Sequence, residues 1–112
     1  MAPAWGERKR ALLQPAAAQE VAQLALDEAA ALALEVAPVR VNLIAARFVD
    51  TPLSASLLGD RLDERRTELR ATLPIGRVVG PADVAALAVH IMTNTALTGA
   101  TFDIDGGQQF VP

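Results

Sequence analysis

The amino-acid sequence predicts an α/β chain, mostly helical, in which about two strands of a parallel sheet are carried by three to four helices. Three observations point there. The stretch from Ala16 to Ala37 lacks Gly and Pro and is built from Ala, Leu, Gln and Glu with a few Val, which are largely strong helix formers. Two short segments with strand-like composition, Val39–Ala45 and Ala100–Ile104, lie far apart in the chain. Between them run segments of helical spacing punctuated by Gly and Pro, and two strands joined by a helical crossover belong to a parallel sheet with a right-handed connection.

Residues 1–15 carry Pro3, Gly6 and Pro15 around the basic cluster Arg8, Lys9, Arg10, with neither helical nor strand periodicity, and read as a loose arm. Residues 16–112 then form one domain. The first helix shows two apolar stripes, Val21, Leu24, Ala25 and Leu32 on one and Leu26, Ala30, Ala33 and Leu34 on the other, so it wants contacts on two sides. Pro38 ends it. VRVNLIA at 39–45 alternates only weakly, as expected of a strand covered on both faces. Phe48–Pro52 reads as a loop closed by an X-Pro step. From Leu53 to Leu73, the residues Leu58, Leu62, Leu69 and Leu73 mark an amphipathic helix, or two shorter ones broken near Gly59. Gly80-Pro81 opens the next helix, with Pro in the first helical position and Asp83 in the first turn, where the dipole favours it. Val84, Leu87, Ala88 and Ile91 line its apolar face. After the strand at 100–104, Asp105-Gly106-Gly107 reads as a turn.

Composition removes several function classes. A net charge of −3 gives no field that favours nucleic acid, and Arg61, Arg65, Arg66 and Arg70 alternate with Asp60, Asp63, Glu64 and Glu68 as a self-paired helix face. There is no cysteine, hence no disulfide framework and no thiolate metal site. His90 has no second His or Cys near it and reads as a helix residue, not a metal ligand. Asp103 and Asp105 alternate with Phe102 and Ile104 as strand patterning, not as a hydrolytic carboxylate pair. No apolar run approaches the ~20 residues of a membrane span, and no signal peptide is legible, so the expectation is a cytoplasmic protein without membrane, nucleic-acid or metal partners.

Five fragments then recur together: Val41-Asn42 within VRVNLIA, Val49-Asp50-Thr51-Pro52, Pro74-Ile75-Gly76-Arg77, Gly80-Pro81-Ala82-Asp83-Val84-Ala85, and Thr98-Gly99 with Asp105-Gly106-Gly107. In this order and spacing they resemble the C-terminal part of a short-chain dehydrogenase/reductase. The resemblance implies a C-terminal fragment of a Rossmann-like, doubly wound parallel sheet, with residues 16–112 supplying its last two strands and their flanking helices. It implies oxidoreductase activity with NAD or NADP. It makes Val49, through backbone groups, and Thr51, through its hydroxyl, contacts of the nicotinamide, and Leu53–Leu73 a lid over the substrate. Asn42 reads as a residue that satisfies backbone groups in a neighbouring loop.

The sequence departs from the family at three places. Ala46-Arg47 stands where the family has Pro-Gly, and Arg lacks the conformational freedom and close backbone approach of Gly. Residues 1–38 hold no glycine-rich strand-turn-helix to meet a pyrophosphate. The catalytic Tyr-x-x-x-Lys pair is missing: the chain has no tyrosine, and its only lysine is Lys9. A truncated or remnant family member, inactive alone and not binding the dinucleotide, is therefore expected, with a start codon or reading frame that misses the N-terminal half as the origin. The wide apolar coverage of the first helix and the unpaired strand edges favour association. The expectation is a homo-oligomer, or a module that oligomerises with a full-length relative.

Overall fold

The computed structural model describes residues 15–112, with side chains from residue 23 onward; the arm expected at 1–15 lies almost wholly outside the described residues. The elements run α1 Pro15–Glu35, β1 Leu43–Ala46, α2 Pro52–Leu58, a 3-10 turn at Gly59–Arg61, α3 Leu62–Thr72, α4 Pro81–Thr93, β2 Thr101–Ile104 and a closing 3-10 turn at Gln108–Phe110. β1 and β2 pair in a two-stranded parallel sheet, so the α/β, mostly helical architecture is as the sequence predicts.

Two compact units can be distinguished, one made of the described residues up to Leu43 with Thr98–Ala100, the other of Ile44–Leu97 with Thr101–Pro112. In the first, α1 buries Ala33, at 6% exposure, while Leu24, Leu32 and Leu34 stay exposed. Its chain then passes through Pro38 to a backbone that is tied but not regular: Gly99 donates to the Val41 carbonyl at 2.7 Å and Leu43 to the Ala100 carbonyl at 2.9 Å. The amide of Ala100 is taken by Asn42 Oδ1 at 3.2 Å, and the Val41 amide by Thr98 Oγ1 at 3.2 Å. Side chains thus replace ladder carbonyls here. This is why the strand expected over 39–45 is a shorter one that starts at Leu43. It also bears out the reading of Asn42 as a residue that satisfies neighbouring backbone.

In the second unit, α3 presents the buried core: Leu69 at 2% and Leu73 at 6% exposure, joined by Val79 at 2%. Leu58 and Leu62 extend the same stripe half-buried. The helix breaks where the sequence suggests, at Gly59, which adopts φ 55, a conformation open to residues without a Cβ. Leu53 and Leu57 on α2 remain 68% and 69% exposed. Contrary to expectation, β1 is not buried on both faces: Leu43, Ile44 and Ala45 are half-buried and Ala46 is exposed. On α4, Val84, Leu87, Ala88 and Ile91 are half-buried as expected, while Val89 and Met92 face out. No helix among the described residues is long and apolar enough to cross a membrane.

Candidate functional site

β1 delivers the chain at its C-terminal end into the loop 47–51, where Arg47, Val49, Asp50 and Thr51 are each held by a different contact. Asp50 donates its backbone N–H to the Val79 carbonyl at 2.9 Å. Thr51, in extended conformation with φ −126 and ψ 165, is the N-cap of α2, ahead of Pro52 in the first turn. Its Oγ1 accepts from the Ser54 amide at 3.2 Å, which satisfies one of the unpaired amides at a helix start. The Ser54 hydroxyl lies 3.2 Å from the Thr51 hydroxyl and donates to the Val49 carbonyl at 2.6 Å. The two residues singled out as cofactor contacts, Val49 and Thr51, are therefore brought together by Ser54, a residue the sequence reading passed over. A Ser three positions after a Thr cap is the signal that could have found it.

The Asp50 carboxylate takes both oxygens' bonds from one guanidinium on α3, Arg66 Nε at 2.9 Å and Arg66 NH2 at 2.9 Å. These hydrogen bonds hold the Arg66 pKa above its ordinary value. Arg66 NH1 also reaches Asp63 at 3.3 Å, and Arg65 pairs with Glu68 at 3.1 Å, so the expected self-pairing along this helix holds for Arg65 and Arg66. Arg66 leaves it for the loop as well.

Arg47 stands at the start of the loop, half exposed, with Nε 3.7 Å from Oδ2 of Asp105. Asp105 is the buried charged residue of the described chain, at 6% exposure. One carboxylate oxygen accepts from the Gly107 amide at 2.9 Å and the other from the Gln109 amide at 3.1 Å. Its role is to fold the Gly106-Gly107 turn, where Gly107 at φ 88 lies so close to Pro74 that a Cβ would stand 2.6 Å from the ring. An open cavity of about 350 Å³ is lined by Ile75, Val79, Ala86, Asp103 and Ile104 among others; Val49 and Thr51 are not among its walls. Asp103 is exposed and Asp105 is committed to backbone amides, so the two do not converge as a reacting pair. Among the described residues no three His, Asp or Glu side chains gather to hold a metal.

A second fork pins the start of α4. Arg77 NH1 and NH2 each reach an oxygen of Asp83 at 2.8 Å, and Asp83 Oδ2 also accepts from the Gly80 amide at 2.8 Å. The hydrogen bonds from Arg77, then that from Gly80, lower the Asp83 pKa from 3.8 to about 2. A carboxyl whose folded pKa is depressed stabilises the fold fully above its unfolded value, and loses that contribution as pH falls through the folded one. Asp83→Asn is therefore expected to remove the part of the acid destabilisation that develops between pH 3.8 and about 2. Thermal melts of both proteins across that window check it: parallel acid slopes would contradict the assignment.

The Val49 carbonyl and the Thr51 hydroxyl are both engaged by Ser54.

Comparison with known proteins gives the context. The family model described as enoyl-(acyl carrier protein) reductase matches residues 10–109. 3beta-Hydroxysteroid dehydrogenase 1 of Eggerthella lenta is 39% identical over 85 residues, a match that takes 72% of this chain and 32% of that protein. The short-chain dehydrogenase/reductase malC of Malbranchea aurantiaca is 33% identical over 76 residues, 68% of this chain and 29% of its own length. The solved structure of the MalC reductase/Diels-Alderase from the same organism superposes with TM-score 0.80 at 26% identity, over 88% of this chain and 39% of that one. A small-chain dehydrogenase in complex with NADPH superposes with TM-score 0.71 at 29% identity, over 76% and 39%. The chain spans about a third of the length of the curated relatives it matches.

Proposed function

Because the chain belongs to the short-chain dehydrogenase/reductase family, we propose that it supplies the C-terminal part of an NAD(P)-dependent oxidoreductase and that these 112 residues alone do not transfer hydride. The observation that carries this reading is the loop between β1 and α2. It sits at the carboxyl end of a parallel strand, where ligands bind in doubly wound sheets. Val49 and Thr51 are its cofactor contacts, the first through backbone groups and the second through its hydroxyl, and Leu53–Leu73 is the lid over the substrate. The NADPH-bound solved relative supports the cofactor class. General acid catalysis needs a positioned proton donor near its working pH; the chain has no tyrosine, and its one lysine lies at position 9.

The experiment is a hydride-transfer assay of the pure chain with NADH and NADPH against steroid, aldehyde and 3-oxoacyl substrates. No turnover is the expected result, and turnover that copurifies with the chain through two orthogonal columns would overturn it. A second reading, association with a full-length relative, is favoured by the exposed Leu24, Leu32 and Leu34 of α1. Light scattering after mixing the chain with such a relative decides it: a mass that stays that of the separate species removes this reading.

A further inference from the structure

We propose that Asp50 and Arg66 form a salt-sensitive latch that holds α3 to the loop carrying Val49 and Thr51, which makes Arg66 a positioning residue of that loop. What the latch serves rests on the reading of the loop as the nicotinamide edge; that it exists rests on the geometry below.

Asp50 lies between the two proposed contact residues and is pinned at both ends. Its amide is held by the Val79 carbonyl at 2.9 Å, and its carboxylate is held by Arg66 Nε and NH2 at 2.9 Å each. A two-pronged bond of this kind fixes orientation as well as distance. The excursion from Asp50 to Arg66 contains α2, the Gly59 bend at φ 55 and the 3-10 turn. Apolar burial holds α2 only weakly, since Leu53 and Leu57 are 68% and 69% exposed and Leu58 is half-buried. The buried anchors of α3, Leu69 and Leu73, lie toward its far end. The polar contact that ties the near part of α3 to the loop is thus the ion pair, beside the half-buried Leu62.

Two features make it openable. Asp50 and Arg66 are each 29% exposed, so water and ions compete for both groups. Arg66 also has a second carboxylate within its own helix, Asp63 at 3.3 Å and 95% exposed, which can keep the guanidinium when Asp50 lets go. Opening would loosen the turn in which Thr51 caps α2 and Ser54 holds the Val49 carbonyl. The latch therefore sets whether those two groups are presented in fixed positions.

Amide hydrogen exchange on the whole chain tests it without any cofactor. The reporters are the Ser54 amide, bonded to Thr51 Oγ1, and the Ala55 amide, bonded to the Thr51 carbonyl; the amides of α4 are the control. In wild type, exchange at the reporters is expected to rise roughly threefold or more between low salt and about 1 M NaCl, with α4 unchanged. R66Q is expected to exchange fast at the reporters already in low salt and to lose the salt response, while R66K, a point charge without the fork, falls between. Reporters that ignore salt in wild type, or that change in step with α4, would overturn the latch, and so would R66K protection equal to wild type. The wild-type salt response alone decides the matter should a variant not fold. NADPH binding is a separate readout: its outcome bears on what the loop contacts and leaves the exchange result standing.

Discussion

Leu69→Ala is expected to lower the unfolding free energy by about 2–5 kcal/mol, the usual range for removing a fully buried leucine side chain. Leu69 is 2% exposed, and the other buried apolar residues of its unit are Leu73 and Val79. So small a core has little means to refill the space, because Leu53, Leu57 and Leu58 of α2 and Leu62 of α3 are exposed or only half-buried. Melting followed by circular dichroism should fall by at least about 8 °C, taking roughly 4–8 °C per kcal/mol for a chain of this size. A fall under about 3 °C would show that α3 is not the centre of the packing.

Asp105→Ala is expected to cost about 1–3 kcal/mol, since it strands the amides of Gly107 and Gln109 in a turn where Asp105 is 6% exposed. Asparagine keeps one acceptor oxygen where the aspartate offers two, so Asp105→Asn should lose less than the alanine variant. Chemical denaturation of the three proteins gives the ranking. Equal stability of wild type and Asp105→Ala would mean that the carboxylate does not organise the C-terminal turn. Arg47 adds little to this balance because its contact is 3.7 Å long and its side chain is 53% exposed.

Elements set by local chemistry were legible before the structure. Gly80-Pro81 with Asp83 marks the start of α4, Gly59 marks the break between α2 and the next helix, and Leu69 with Leu73 marks the buried stripe, because capping, left-handed turns and helical periodicity act within a few residues. The start of β1 was not legible: the side chains of Asn42 and Thr98 take amides that a ladder would pair with carbonyls, and residue types alone do not show that substitution. Arg66 looks like any other arginine of an alternating helix face. Its partner sits 16 residues back on another element, a relation fixed by the fold and not by spacing. Arg47 was legible as a departure from Pro-Gly, whereas its neighbour Asp105 was not. The turn after β2 is legible as Asp105-Gly106-Gly107, but not the part of the Asp105 carboxylate, which carries the organising bonds in the manner of an Asx turn.

In the proposed reading, the loop 47–51 is the cofactor edge of a site that these 112 residues, with no tyrosine and the single lysine Lys9, do not complete. Calorimetric titration of the pure 112-residue chain with NADPH, repeated with NADH, tests that account most directly. No saturable heat up to millimolar ligand is the predicted result. A one-to-one isotherm with a micromolar Kd, abolished by Thr51→Val, would contradict the claim that the chain does not form a cofactor site by itself.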